Sequence, residues 1–402
     1  MLVVKKFGGT SVANKERIYN VARRCIEEYN KGNDVVVILS AMGKMTDELI
    51  EKAKDINPNP SKRELDMLLT VGEQTSVSLM AMAMANLGVP AISLNAFQVS
   101  MHTTSNYGNA RLKRIDSERI THELEGRKIV IITGFQGINK YDDYTTLGRG
   151  GSDTTAVAIA AALRADKCEI YTDVDGVYTA DPRIVNKARK LEEITYDEML
   201  DLATLGAGVL HNRSVEMAKK YGVTLVVRSS LTNEEGTVVK EDVKVEKMLV
   251  SGVAVDKNAE RISIIGLEDK PGTAFRVFDA LAKANINVDM ILQSTGRNNT
   301  QDISFTVDGN FGDEAIKVLE DNKARLKYQN IDMEKNVCKV SIVGAGMMSN
   351  PGVAAKMFEC LYNEHINIKM ISTSEIRVTV LIDVNDADRA ANAIHDIFGL
   401  DE

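Results

Sequence analysis

At 402 residues, with 44% apolar and 26% charged side chains, the chain can bury two or three cores, which excludes a lone small binding module and global disorder. A net charge of −8, with Lys and Arg spread among acids, argues against nucleic acid or an anionic bilayer as a partner. The four cysteines, Cys25, Cys168, Cys338 and Cys360, have neither metal-binding nor disulfide spacing and fit a reducing compartment.

In chain order, MLVVKKFGGTSV reads as a short strand running straight into glycines, without the long apolar region of a signal peptide. The stretch SLMAMAMANLGV is too short and too rich in small residues for a membrane span, so a cytoplasmic location is expected. An amphipathic helix carrying Val21, Ala22, Cys25 and Ile26 precedes a buried strand, DVVVILS. Pro58 and Pro60 mark a surface excursion, after which helices are expected to begin near Ser61 and near Gly72. PAISLN and RKIVIITGFQG read as extended, SDTTAVAIAAALRA as helical, and VTLVVRSS as a strand ending near Ser230. Repeated switching between helical and buried-strand periods predicts an α/β sandwich with mostly parallel strands.

The polar stretch LTNEEGTVVKED then marks a boundary, and an internal repeat lies beyond it. IIGLEDKPGTAFRVFDALAKANINVDMILQST and SIVGAGMMSNPGVAAKMFECLYNEHINIKMISTS share order and spacing. In each, an apolar strand ends in glycine, a loop carries Pro-Gly (Pro271-Gly272, Pro351-Gly352), and a helix leads to Ile-Asn and another strand. Each βαβ unit is followed by a further strand, DISFTV or IRVTVLI, so two small α+β modules are expected after the larger domain.

Three segments carry phosphate or nucleotide chemistry. Lys5 and Lys6 end a strand that runs into Gly8, Gly9, Thr10 and Ser11, where glycines let backbone donors approach a phosphate and lysine offsets its charge; a tight turn is the plainer alternative. Around Gly148, Arg149, Gly150, Gly151, Ser152 and Asp153, helix-start amides and Arg149 suit an anion, with Asp153 as a simple N-cap the alternative. Neither is a P-loop or a dinucleotide fingerprint, which weighs against an oxidoreductase. In YTDVDGVYTADPR at 171–183, acids suit Mg²⁺ through water or nucleotide hydroxyls and the aromatics suit an apolar ring; an Asx-rich connection is the alternative, and EF-hand spacing is lacking. Ser40 and Thr46 offer hydroxyls to a polar substrate, and Glu73, read as lying at a helix start, suits a substrate ammonium group or helix capping. His102, His122, His211, His365 and His395 have no mutual ligand spacing and fit surface or satisfied-core roles.

With KFGGTSV at 6–12, SAMGKMT, LLTVGEQ, GFQG, GRGGSD and YTDVDGVYTADPR in this order, nearly the whole chain resembles the aspartate kinases of the amino-acid kinase superfamily. The resemblance implies a three-layer αβα catalytic domain over 1–230, a linker over 231–247, and two ferredoxin-like ACT regions over 248–335 and 336–402, the second completed by a strand from about 250–258. It implies phosphoryl transfer from ATP with Mg²⁺ to the β-carboxylate of L-aspartate. Lys6 and Asp153 are then catalytic, and Ser40, Thr46, Glu73, Arg149 and Ser152 bind substrate. Lys6, Gly8, Gly9, Thr172, Asp173, Tyr178, Asp181 and Arg183 hold the nucleotide, with no direct protein ligand for the metal.

Lysine and/or threonine are the implied effectors. One effector region is centred on Asp269, Gly272, Thr273, Ala274, Asn287, Val288, Asp289 and Gln293, and its counterpart on Asn350, Gly352, Val353, Asn367, Ile368, Ser374 and Glu375. A homodimer through the ACT regions is implied, with a dimer of dimers as the larger assembly, and Met248 matches a position of internal initiation in some relatives. Asn212 stands where the family commonly has proline, which leaves that loop open. Other amino-acid or carbamate kinases and a noncatalytic sensor remain as alternatives, as does an interface-only role for the repeats.

Overall fold

The computed structural model describes residues 1–205, 209–241, 249–295, 299–348 and 350–401; Met248 lies outside them. Two compact units emerge. The first comprises Met1–Val177, Lys190–Ala203 and Gly208–Lys244, and the second Tyr178–Arg189, Thr204–Ala207 and Val245–Glu402.

In the first unit, runs of β-branched residues such as DVVVIL and IVIIT are buried along almost their whole length, as strands covered on both faces must be. They form an eight-stranded sheet in the order Glu193–Thr195, Thr237–Lys240, Leu225–Ser229, Lys167–Thr172, Leu2–Phe7, Asp34–Leu39, Ile129–Thr133, Ala91–Leu94. Neighbours are parallel except Leu225–Ser229 against Thr237–Lys240. Strand alternation assigns the faces. Lys5 meets Glu28 of the helix Lys15–Asn30, and the next residue, Lys6, meets Asp153 of the helix Gly151–Leu163, so helices cover both sides of the sheet. Val21, Ala22 and Cys25 pack with Val35, Val37, Leu39, Val77, Met80 and Met84 in the core of the first face. A small second sheet joins Leu112–Arg114, His102–Thr103, Gln136–Ile138 and Tyr144–Thr146.

The helix expected to begin near Gly72 does not exist: a single 25-residue helix, Lys62–Asn86, starts at Ser61, whose side chain accepts from the Glu64 amide. Gly72 and Glu73 are mid-helix, so no cap or dipole acts on Glu73. Glycine is tolerated there because a Cβ would lie 2.7 Å from the Ala41 Cβ.

The second unit holds an antiparallel six-stranded sheet, ordered Ile291–Thr295, Thr300–Asp308, Gly252–Glu268, Asn330–Val343, Arg377–Asp383, Met370–Thr373. The 17-residue strand Gly252–Glu268 serves both repeats, its first residues pairing with Lys339–Val343 and its later ones with Thr300–Asp308. The repeat is geometric as well as sequential. Gly272 and Gly352 enter their helices at φ +91° and +99°, and Asn285 and His365 leave them at φ +59° and +56°. Each repeat buries its own core, one around Ile262, Leu281 and Phe305, the other around Val340, Met357 and Ile394.

Candidate active site

The strand Leu2–Phe7 runs directly into Gly8, and the turn there helps gather the first unit's chemistry at the carboxyl ends of the parallel strands, where open α/β sheets place ligands. Lys6 Nζ lies 2.6 Å from Asp153 Oδ1, each side chain being only 12% exposed. A Cβ on Gly8 would stand 3.6 Å from that ammonium, so the space above Gly8 faces a fixed positive charge. At Gly9 a Cβ would lie 2.6 Å from the Ala41 carbonyl, and the Gly43 amide donates to the Gly9 carbonyl at 3.0 Å. Two backbones therefore touch at a position that admits no side chain. Asp153 is not the N-cap of its helix: Gly150 occupies that place at φ +69°, leaving the carboxylate for Lys6.

Beside this pair, Ser40 Oγ donates to Ser152 Oγ at 3.0 Å, and Ser76 Oγ donates to the Ser40 carbonyl at 2.8 Å. Glu73 Oε1 accepts from the Ala41 amide at 3.1 Å, while Oε2, equally buried, has no partner among the described residues. Burial raises this carboxyl to about 8, against the smaller opposing effect of backbone donors. An unpaired carboxylate oxygen out of water's reach is a place for a cation.

The remaining expected residues are spread over both units. Arg149 is exposed just before Gly150, and Thr46 sits half-buried in the first turn of the helix Met45–Ile56. Thr172 ends the strand beside Leu2–Phe7, its hydroxyl donating to exposed Asp173 at 3.2 Å and accepting from the Val174 amide at 3.1 Å. Tyr171 is unavailable to a ligand: it is 1% exposed and stacked on Phe7 at 4.4 Å. Tyr178, Asp181 and Arg183 fall in the second unit, where Arg183 Nη2 grips Asp181 at 2.7 Å. The effector candidates cluster at the helix starts Gly272 and Gly352 and at the chain leaving each helix; Asp289 already pairs with buried Lys339 at 2.8 Å.

Several supports of the site escape sequence reasoning. Lys5 reads in sequence as a companion of the phosphate lysine, yet period-2 alternation turns it to the opposite face, where it is 2% exposed and 2.6 Å from Glu169. His211 caps the helix Asn212–Tyr221, and its ring fills the space a Gly150 side chain would need, 2.2 Å from an ideal Cβ. Arg213 Nη1 donates to the Leu147 carbonyl at 2.6 Å and Nη2 to the Ala110 carbonyl at 3.0 Å, tying down the glycine loop. Asn212 takes the first helical position, where proline is favoured but not required. Buried Asp66 accepts from the Gly108 and Thr146 amides and from the Thr146 hydroxyl. Of these, only Asn212-Arg213-Ser214 leaves a visible signal in the sequence.

The model of the amino acid kinase family matches residues 1–229, and that of the ACT domain matches 262–322 and 340–398. Sheet, glycine turns and repeats thus define an amino-acid kinase followed by ferredoxin-like ACT domains. The chain is 53% identical over 400 residues to the aspartokinase of Bacillus sp. (strain MGA3), covering 99% of this chain and 97% of that one. It is also similar to E. coli aspartokinase III solved with aspartate and ADP in the R-state, at TM-score 0.81 and 27% identity over 99% of each chain. The same enzyme with lysine and aspartate, in the T-state, gives TM-score 0.79 and 27% identity over 98% of this chain and 99% of that one. The chain belongs to the aspartokinase family and is an enzyme of that kinase activity. Among the described residues, no helix is long and apolar enough to cross a membrane.

Proposed function

We propose that ATP with Mg²⁺ and L-aspartate meet at the Lys6–Asp153 pair, the γ-phosphoryl group passing to the β-carboxylate to give 4-phospho-L-aspartate and ADP. This is the first step toward lysine, threonine and methionine. The observation that carries the reading is the Lys6 ammonium fixed 2.6 Å from Asp153 and 3.6 Å from where a Gly8 side chain would begin. Lys6 offsets equatorial phosphoryl charge, and Gly8 and Gly9 let backbone approach the phosphates. Asp153 orients Lys6. Mg²⁺ bound with the nucleotide would add further neutralisation of the phosphate charge.

Glu73 receives the α-ammonium group of aspartate, Ser40, Thr46 and Ser152 its polar edges, and Arg149 a carboxylate. Thr172, Asp173, Tyr178, Asp181 and Arg183 hold the nucleoside end. Because the nucleophile is already an anion, the reaction needs no general base; alignment and electrostatics supply the rate. Lysine and/or threonine act at the ACT repeats of a homodimer, a reading supported by E. coli aspartokinase III having been solved with lysine.

The test is initial-rate ADP release with aspartate varied at several lysine and threonine concentrations. Aspartate-dependent release with a saturation curve shifted by one amino acid is expected. Release that ignores aspartate sinks the substrate reading, and release that ignores both effectors sinks the regulatory one.

A further inference from the structure

The segment Tyr178–Arg189 belongs to the second compact unit, although the amino acid kinase match runs through it to residue 229. It carries no helix or extended strand of its own, so its shape is imposed by what it packs on. Ala180 and Val185, 5% and 1% exposed, are buried in the same core as Val253, Val340, Met357 and Ile394 of the second repeat. Thr179 is the node. Its amide donates to the Arg189 carbonyl and its carbonyl accepts from the Val253 amide, at 2.8 and 2.7 Å. Its hydroxyl accepts from the Arg189 amide at 2.9 Å and pairs with His395 Nε2 at 2.9 Å. Farther along, Asn392 Nδ2 donates to the Ile184 carbonyl at 3.0 Å, and Lys187 pairs with Asp396 at 3.0 Å. Asn392, His395 and Asp396 all lie in the last turns of one helix, Ala387–Ile397.

We propose that this helix of the second repeat is a positioning element for nucleotide binding: Asn392 and His395, acting through Ile184 and Thr179, hold Asp181 and Arg183 in the arrangement that receives ATP. The proposal rests on the reading that Tyr178, Asp181 and Arg183 meet the nucleotide. The apolar residues of the segment plug the repeat's core while Arg183, 88% exposed, projects from it. A segment held in this way is ordered before ATP arrives; once released, it must be ordered by ATP itself, which raises KM without touching the chemical step. Linkage works in both directions. Nucleotide should in turn slow hydrogen exchange at the Thr179 and Arg189 amides.

The experiment uses the full-length protein with Asn392→Ala, Thr179→Val and, as a direct nucleotide control, Arg183→Ala. Asn392 is half-buried on a helix that tolerates alanine, so it keeps the question open if Thr179→Val fails to fold. Losing one hydrogen bond from the clamp should raise KM for ATP roughly three- to tenfold. The turnover at saturating ATP and KM for aspartate should stay within about twofold of the parent, since neither depends on the clamp. If Arg183→Ala raises KM for ATP while Asn392→Ala and Thr179→Val lower only the melting temperature, the helix is merely structural and the proposal is overturned. If Arg183→Ala leaves KM for ATP unchanged, the nucleotide reading itself is wrong and the positioning role goes with it.

Discussion

If Glu73 receives the α-ammonium group of aspartate, as proposed, its protonation is coupled to ligand binding. Its carboxyl is raised by burial from 4.5 to about 8, so in the ligand-free protein at pH 7 it is largely protonated. A folded-state value above the unfolded one means the folded protein holds the proton more tightly, and this group's contribution to stability falls as pH climbs from 4.5 to about 8. An arriving ammonium group favours the carboxylate and drives the proton out. Aspartate binding at pH 7 should therefore release close to one proton, measurable by titration calorimetry in buffers of different ionisation enthalpy. Glu73→Gln should abolish the release and weaken binding by about 10²-fold, the cost of an unmatched buried cation. A binding enthalpy independent of the buffer would mean that Glu73 does not meet the ammonium group.

At the scale of the element, the strand Leu2–Phe7 carries two adjacent lysines that face opposite sides of the sheet and meet different acids. Lys5 sits against Glu169, Glu28 and the Tyr171 hydroxyl; burial alone would lower it, but Tyr171 and Glu169 hold it above the usual lysine range. Lys5→Met should cost about 1–3 kcal/mol of stability in urea unfolding, because Glu169 loses its most buried cation while Lys167, at 2.7 Å, still compensates part of its charge. Lys6→Met also strips Asp153 of its cation, but at a less buried site, so it should lower the urea midpoint less than Lys5→Met while lowering turnover by about 10²–10³-fold. Equal effects on stability and turnover in both variants would remove this division. Adjacent residues with opposite facings show where sequence stops being legible. The strands, the glycine turns and the duplicated repeat can be read because each is written in local period or in a residue with one backbone use. Helix length cannot be read at Gly72, where glycine looks like a boundary but serves close packing against Ala41. The partners of Lys5, the seat of His211 against Gly150 and the packing of the 178–189 segment are hidden too, since each depends on residues far away in sequence.

For the molecule as a whole, among the described residues the second unit's sheet ends in two edge strands without a further partner, each carrying exposed apolar side chains. On one edge strand Ile291 and Leu292 are 52% and 46% exposed; on the other Ile371 is 47% exposed. Open edges of this kind template pairing with another chain unless charge or proline blocks them, and neither strand carries either. The homodimer proposed above would seat a second copy on these edges, and on that reading sedimentation should show a dimer. Placing a lysine on each edge, as Ile291→Lys with Ile371→Lys, adds charge without disturbing a core, and should shift the population toward monomer at micromolar concentration. Ultracentrifugation separates the cases. A monomeric parent protein would mean the edges are simply solvated, whereas an undisturbed dimer in the double variant would move the interface to another face. If the effectors bind where copies meet, the same variant should also lose the lysine or threonine response while retaining aspartate-dependent turnover, since the Lys6 cluster lies wholly within the first unit.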